Sequence, residues 1–417
     1  MSYLKQIKKW GGIIGVQSLG PLSALMTTWF LARFGGPLLQ GEFAQYKSLI
    51  DLLFVLGSFG FPQAIVYIIN KNNTSIRKIA SYSTLYCIFI TPAFIAITYL
   101  YFKNTDNYKY DILEATITSI AASLLMLHGF YRAIYLSKNQ DIGFSIATIL
   151  PPAFLLLLLL ISIKIKETND YYFSIVYFFS NILACIITFS LIRNIIKKDS
   201  FININKKIYW NLLINHSLHS FLQSFLIAIQ PFLAYTIIKK MGGSNGDVGF
   251  LNIGIFLAQG ISTPISMIAP ILFSRWTKLS NSTISLITFT KKYKIIILIA
   301  YFIIGIAFGY IAYITTPIFF GEIFSDASLA TSYILFSLPF LLHSKALSPA
   351  FHALGHPKIN TSVSFLRFTS FLSISLIGLF FLENTKIINI LAVAWSASEV
   401  IAGIQHILFS SRHSNDQ

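Results

Sequence analysis

The feature that most constrains this chain is a recurring apolar run of roughly 20 residues, the length at which a helix crosses ~30 Å of hydrocarbon. Such runs fall near 10–32, 43–69, 80–102, 112–134, 142–163, 171–192, 210–238, 249–272, 294–316, 328–352, 359–381 and 387–409. They predict twelve transmembrane helices. The alternation that marks a membrane barrel is absent. Lipid offers the backbone no hydrogen-bond partner, so spans of this kind must be helical. The 55% hydrophobic and 11% charged composition and the mean hydropathy of +0.69 point the same way. The fourth run is weakened by Glu114 at its start, and the tenth by His343 and Lys345 within it.

Loops rich in Lys and Arg stay on the cytoplasmic side. With the N-terminus inside, 20 cations fall on inner segments and eight on outer ones. The acids run the other way, with only Asp141, Asp199 and Asp416 inside. Both termini are therefore expected in the cytoplasm. The net charge of +16 follows from basic inner loops that face anionic lipid headgroups. No soluble basic domain is present to bind nucleic acid. The opening "MSYLKQIKKWGG" lacks a small-residue cleavage pattern and reads as the start of a retained first helix. Cys87 and Cys185 fall inside spans, which predicts buried thiols rather than a disulfide framework or a metal site. The short outer loops leave no room for an extracytoplasmic domain. No phosphate-binding loop, paired-His motif or nucleophile elbow appears, so no enzyme activity and no cofactor are expected.

Placing "RFGGPLLQGEF" (33–43) over "KMGGSNGDVGF" (240–250) aligns Arg33 with Lys240, Gly35-Gly36 with Gly242-Gly243, and Phe43 with Phe250. The offset is about half the chain. Six helices per copy means that both copies enter from the same side, so the repeat is parallel. The expected architecture is an all-α integral membrane protein of about twelve helices in two six-helix lobes around a central cavity. Residues 1–192 form the N-terminal lobe, 193–209 a cytoplasmic connection, and 210–417 the C-terminal lobe. Two such lobes suit a transporter that works by alternating access.

The N-terminal pattern "LARFGG", "GEFAQY" and "LGSFGFPQAIVYIINKN", together with "AFHALGHPKIN" before the eleventh span, resembles polysaccharide flippases of the Wzx type. These belong to the multidrug/oligosaccharidyl-lipid/polysaccharide exporter superfamily. The resemblance implies movement of an undecaprenyl-diphosphate-linked oligosaccharide, such as an O-antigen repeat unit, from the cytoplasmic to the periplasmic leaflet of a bacterial inner membrane. It implies membrane lipids, a polysaccharide polymerase and a chain-length regulator as partners. An ion-coupled drug or small-molecule antiporter of the same superfamily is the alternative. A membrane glycan polymerase is a third reading, and it would need a long periplasmic loop.

The resemblance gives meaning to polar residues within spans, because a diphosphate sugar loses its hydration in hydrocarbon unless a polar, cationic path replaces it. The seventh span carries His216, His219, Ser220, Gln223 and Gln230, and the eighth Asn252, Gln259, Thr263 and Ser266. These are either a sugar-lined path or hydrogen bonds between helices. The charged candidates are Arg33, Lys47, Asp51, Lys345, Arg367 and Glu399, with His128 and His343 nearby. Lys47 and Asp51 stand four apart on one helix face, either as a self-neutralising pair or as a diphosphate contact and an ion-coupling carboxylate. Glu399 is the second ion-coupling candidate. Lys345 and Arg367 either snorkel to the interface or supply positive charge for the diphosphate; no in-span acid is evident to match each. The substrate-binding set is thus Arg33, Lys47, His216, His219, Gln223, Asn252, Lys345 and Arg367.

Overall fold

The computed structural model describes residues 3–72, 75–104, 112–138, 140–162, 172–197, 206–276, 280–354, 356–382 and 386–412. Fourteen α-helices account for nearly all of them. They are α1 (Tyr3–Ser58), α2 (Phe61–Asn72), α3 (Ile76–Asn104), α4 (Ile112–Ser137), α5 (Asp141–Ser162), α6 (Tyr172–Lys197) and α7 (Lys206–Lys240). The second half comprises α8 (Asn245–Trp276), α9 (Ser280–Lys292), α10 (Lys294–Phe320), α11 (Ser328–Phe336), α12 (Leu338–Ala353), α13 (Pro357–Phe381) and α14 (Ile387–Arg412). A 3₁₀ turn, Glu322–Ala327, joins α10 to α11.

Among the described residues nine helices are long and apolar enough to cross a membrane, and the pair Glu322–Phe336 and Leu338–Ala353, bent by 43°, makes ten if it is one broken span rather than a re-entrant loop. The first two expected spans lie in α1 and its continuation α2. The chain is a multi-span membrane protein.

Several boundaries differ from the sequence expectation. The short loop foreseen between the first two spans is only a kink: helix resumes directly after Gly36, whose φ of 67° and ψ of −173° break the ladder. The second span is broken at Phe59 and Gly60, both at positive φ (45° and 71°). That break frees carbonyls, and the Tyr86 hydroxyl donates to one of them, Gly57 O, at 2.7 Å. Hydropathy runs unbroken through both places, so it carries no sign of either. Helix α9 lies between the eighth and ninth expected spans and was not anticipated, because its polar, short sequence has no span-like signal. It is held by Ile287, which packs with Leu347, Phe351, Ile359, Val363 and Ala402.

At the end of α7 the sequence writes its own stop. The Gly243 N–H bonds Ile238 O at 2.9 Å and the Gly242 N–H bonds Lys239 O at 3.2 Å, while Gly242 takes φ 81°. This is the left-handed glycine closure of a helix C-terminus. Gly36 and Gly242 both take a positive φ, 67° and 81°, one residue away from the register that motif matching gives.

The contacts divide the chain into two compact units, Met1–Thr27 with Tyr46–Ala228 and Thr28–Gln45 with Ile229–Gln417. The first is built around α4, whose buried face is rich in small residues: Ala115, Thr118, Ser119, Ala121 and Ala122. Hydroxyls and amides join its helices, as in Ser119 with Thr98 (3.1 Å), Thr118 with Ser174 (3.1 Å), and Asn181 Nδ2 donating to Ala121 O (3.2 Å). In lipid, apolar side chains gain little by leaving the solvent, so close approach and hydrogen bonds bind the helices. Met126, Phe130, Ile134, Ala147, Cys87 and Cys185 fill the same core, and both cysteines are free thiols.

The second unit packs α8, α11, α12, α13 and α14 around Ile255, Ile334, Leu338, Phe371, Leu391 and Trp395. The stretch of α1 from Thr28 to Gln45 belongs to it. There Gly41 and Gly249 let two helices touch at the backbone: a Cβ on Gly41 would overlap Asn245 O, and one on Gly249 would overlap Pro37 O. Gln45 Nε2 donates to Asn245 Oδ1 at 2.9 Å beside this crossing.

Candidate functional site

In the first unit, Lys47 and Asp51 form an ion pair one turn apart, with 38% and 44% of their side chains exposed. The break at Phe59 and Gly60 packs on α7: Phe59 stacks on Phe221 with centroids 4.4 Å apart, and a Cβ on Gly60 would overlap Ser217 O. His219 and Gln223, both half-buried, stand on α7 in this same stretch. The side chain of His216 lies outside the described residues, as do residues 198–205 of the 193–209 connection. His128 is buried, with its Nε2 2.9 Å from Ala147 O, so that nitrogen carries the proton and ties α4 to α5.

In the second unit, Arg33 is exposed and its guanidinium lies over Gly321. Asn252 accepts from the Tyr235 hydroxyl at 2.7 Å, and Gln230 Nε2 donates to Ser398 Oγ at 3.2 Å. These two polar groups of the seventh and eighth spans bond their neighbours.

The densest polar group of the second unit centres on α12. His343, Ser344 and Lys345 are consecutive, and at ~100° per residue they sweep across the helix and reach three different neighbours. His343 Nδ1 meets the Tyr301 hydroxyl of α10 at 2.8 Å. Ser344 Oγ meets His406 Nδ1 of α14 at 2.7 Å, and Lys345 Nζ donates to Ser262 Oγ of α8 at 2.6 Å.

The proton positions follow from the acceptors. Asn360 Nδ2 donates to Ser348 O at 2.9 Å, so its Oδ1 faces His406 Nε2 at 3.2 Å and must accept from it. With neutral imidazole, Nδ1 is then the acceptor and the Ser344 hydroxyl donates to it. Arg367 Nη2 donates to Ser344 Oγ at 3.3 Å and stands 3.1 Å from Glu399 Oε2. One chain of polar contacts thus runs Ser348, Asn360, His406, Ser344, Arg367, Glu399 across three helices.

Two expectations are corrected here. Arg367 is buried rather than snorkelling, and it does have a matching acid, Glu399, on the next helix. Burial is tolerable because the pair is neutral overall. Lys345 keeps the looser arrangement: it is half-buried, and among the described residues no carboxylate lies within ion-pair distance.

Sequence reasoning missed Ser262, Tyr301, Ser344, Asn360 and His406. A signal existed in the spacing: Asn360 and Arg367 stand seven apart on α13, as do Glu399 and His406 on α14, and Ser344 and Ser348 four apart on α12. Each pair shares a helix face. Among the described residues, no group of three or more His, Cys, Asp or Glu is placed to hold a metal.

No family model and no curated protein matches the chain. Solved structures do. An inward-facing multidrug resistance MATE family transporter of the MOP superfamily is 14% identical, with a TM-score of 0.71 over 97% of this chain and 94% of that one. A Vibrio cholerae MATE transporter is 14% identical, with a TM-score of 0.72 over 98% and 97%. An outward-facing MATE family transporter gives 0.63 at 14% identity over 97% and 96%. The chain therefore has the fold of MATE transporters over its whole length.

Proposed function

We propose that this chain is an ion-coupled exporter that moves its cargo by alternating access. The observation that carries the proposal is the full-length likeness to MATE transporters. The cargo reading supported best is a small organic molecule, exchanged against a cation, because the similar solved structures include a multidrug resistance transporter.

A second reading, the lipid-linked oligosaccharide flippase of a bacterial inner membrane, is favoured by charge. Both acids placed mid-span, Asp51 and Glu399, are occupied by cations, Lys47 and Arg367, which leaves Lys345 in surplus. A surplus cation suits a diphosphate better than a cationic drug. On this reading Lys345→Glu abolishes transport and Lys345→Arg preserves it.

Expression in a host stripped of its own drug exporters, with ethidium as the probe, tests the first reading. Ethidium extrusion that collapses when the ion gradients are dissipated supports it. Absent extrusion, together with restored surface polysaccharide in a flippase-null host, would replace it with the second reading.

A further inference from the structure

Helix α9 (Ser280–Lys292) is too short and too polar to cross a membrane, yet one of its faces is fastened to the second unit. Ile287 and Thr290 are buried on that face. At ~100° per residue Thr288, Phe289 and Lys292 fall on the opposite face, and all three are exposed, Phe289 at 56%. Phe289 packs on Tyr293 with ring centroids 4.9 Å apart, and Lys292 Nζ stands 5.1 Å from the centre of the Tyr293 ring. An exposed aromatic pair beside an ammonium matches the boundary between hydrocarbon and water, where aromatic rings and lysine stems settle.

Chain continuity fixes the depth of that face. Tyr293, at φ −108° and ψ 16°, leads α9 directly into α10 (Lys294–Phe320). Helix α10 is long and apolar enough to cross the membrane, and its first turns expose Ile295, Ile296 and Ile299. Those side chains stand in hydrocarbon, so Lys294 marks its edge. The end of α9 lies one residue from that edge, at the level of the phospholipid headgroups.

Charge then selects the lipid. Residues 275–294 contain Arg275, Lys278, Lys291, Lys292 and Lys294 and no Asp or Glu. Among the described residues no carboxylate lies within ion-pair distance of Lys292 or Lys294. We propose that α9 lies in the membrane interface and that the corner between α9 and α10 binds an anionic phospholipid. Lys292 and Lys294 hold its phosphate, and Phe289 and Tyr293 cover the glycerol and the upper acyl chains. Because Ile287 packs on Leu347 of α12, Ile359 of α13 and Ala402 of α14, the lipid anchors those helices to one leaflet through α9.

The test counts bound lipid and needs no cargo, so it is independent of the exporter reading. Purified full-length chain in detergent is given phosphatidylglycerol and phosphatidylcholine with the same acyl chains, and native mass spectrometry records which lipid it retains. The variants are Lys292→Gln with Lys294→Gln, Phe289→Ser, and a control pair, Lys103→Gln with Lys240→Gln, that removes two exposed cations from other helix ends. The unaltered chain and the control pair should prefer phosphatidylglycerol. Losing Lys292 and Lys294 should weaken its retention about thirty-fold, about five-fold for each lysine. Phe289→Ser keeps every charge and should weaken retention several-fold, which a site for free phosphate would not show. Undiminished retention in the Lys292 and Lys294 double variant or in Phe289→Ser, or an equal loss in the control pair, would overturn the proposal. A double variant whose oligomeric mass changes while its lipid stays would assign the face to a second copy of the chain instead.

Discussion

At the scale of single residues, the two ion pairs make opposite predictions because their surroundings differ. Arg367 and Glu399 are both nearly inaccessible, so losing one partner strands the other. Glu399→Gln should destabilise by about 3–5 kcal/mol, while Arg367→Met with Glu399→Leu should recover most of the loss. Thermal unfolding in detergent, followed by loss of the monodisperse peak, measures this; a double variant no better than the single one would contradict it. Lys47 and Asp51 are over a third exposed and one turn apart, so each single loss should cost only a few tenths of a kcal/mol. A cycle of Lys47→Met, Asp51→Leu and both together, read as transport at matched protein levels, then separates structure from function. If Lys47 holds cargo, the double variant accumulates normally and transports nothing; restored transport would make the pair structural. The same contrast explains what could be read from sequence. Residues four apart on one helix must meet, so the Lys47 pair was visible in the spacing. Arg367 and Glu399 stand on successive helices, and only the packing of α13 on α14 brings them into contact.

At the scale of elements, helix existence was legible and helix breaks were not. A run of twenty apolar residues in lipid has no alternative to helix, and this fixed the crossings. The departures at Gly36, Phe59–Gly60 and Ser337 cost or redirect only a few backbone hydrogen bonds, and the apolar composition passes straight through them. The Gly-rich motifs were visible as a repeat, but their use was not: Gly242 closes α7, whereas Gly41 and Gly249 permit a backbone-to-backbone crossing. That crossing makes a prediction. A methyl group on Gly41 meets a carbonyl oxygen rather than a flexible side chain, so the helices must separate. Gly41→Ala should lower stability by about 1–3 kcal/mol, and Gly41→Leu should prevent accumulation. By comparison Gly15→Ala, where nothing lies within 4 Å, should be silent or mildly stabilising. Equal thermal stability of Gly41→Ala and the unaltered chain would show that the helices are not in contact there.

At the scale of the whole molecule, twelve crossings would place both ends on one side, and the cation bias predicts the cytoplasmic one. Twenty Lys and Arg fall on the segments shared by the termini and the 193–209 connection, against eight on the opposite segments. Charges in short flanking loops resist translocation during insertion, so a bias of this size should fix one orientation for all helices together. A single cysteine at Asn203 is a convenient reporter, because the native thiols, Cys87 and Cys185, are buried in the core of the first unit and stay silent toward a polar reagent. In intact cells an impermeant maleimide should leave the Asn203→Cys variant unlabelled, and permeabilised cells should label fully. A control cysteine at Asn107, between the third and fourth expected spans, should behave in the opposite way and react from outside. Labelling of Asn203→Cys in intact cells would place the connection outside and reverse the orientation. Labelling of both positions in intact cells would mean an even number of crossings between them, whereas the twelve-helix reading places three there.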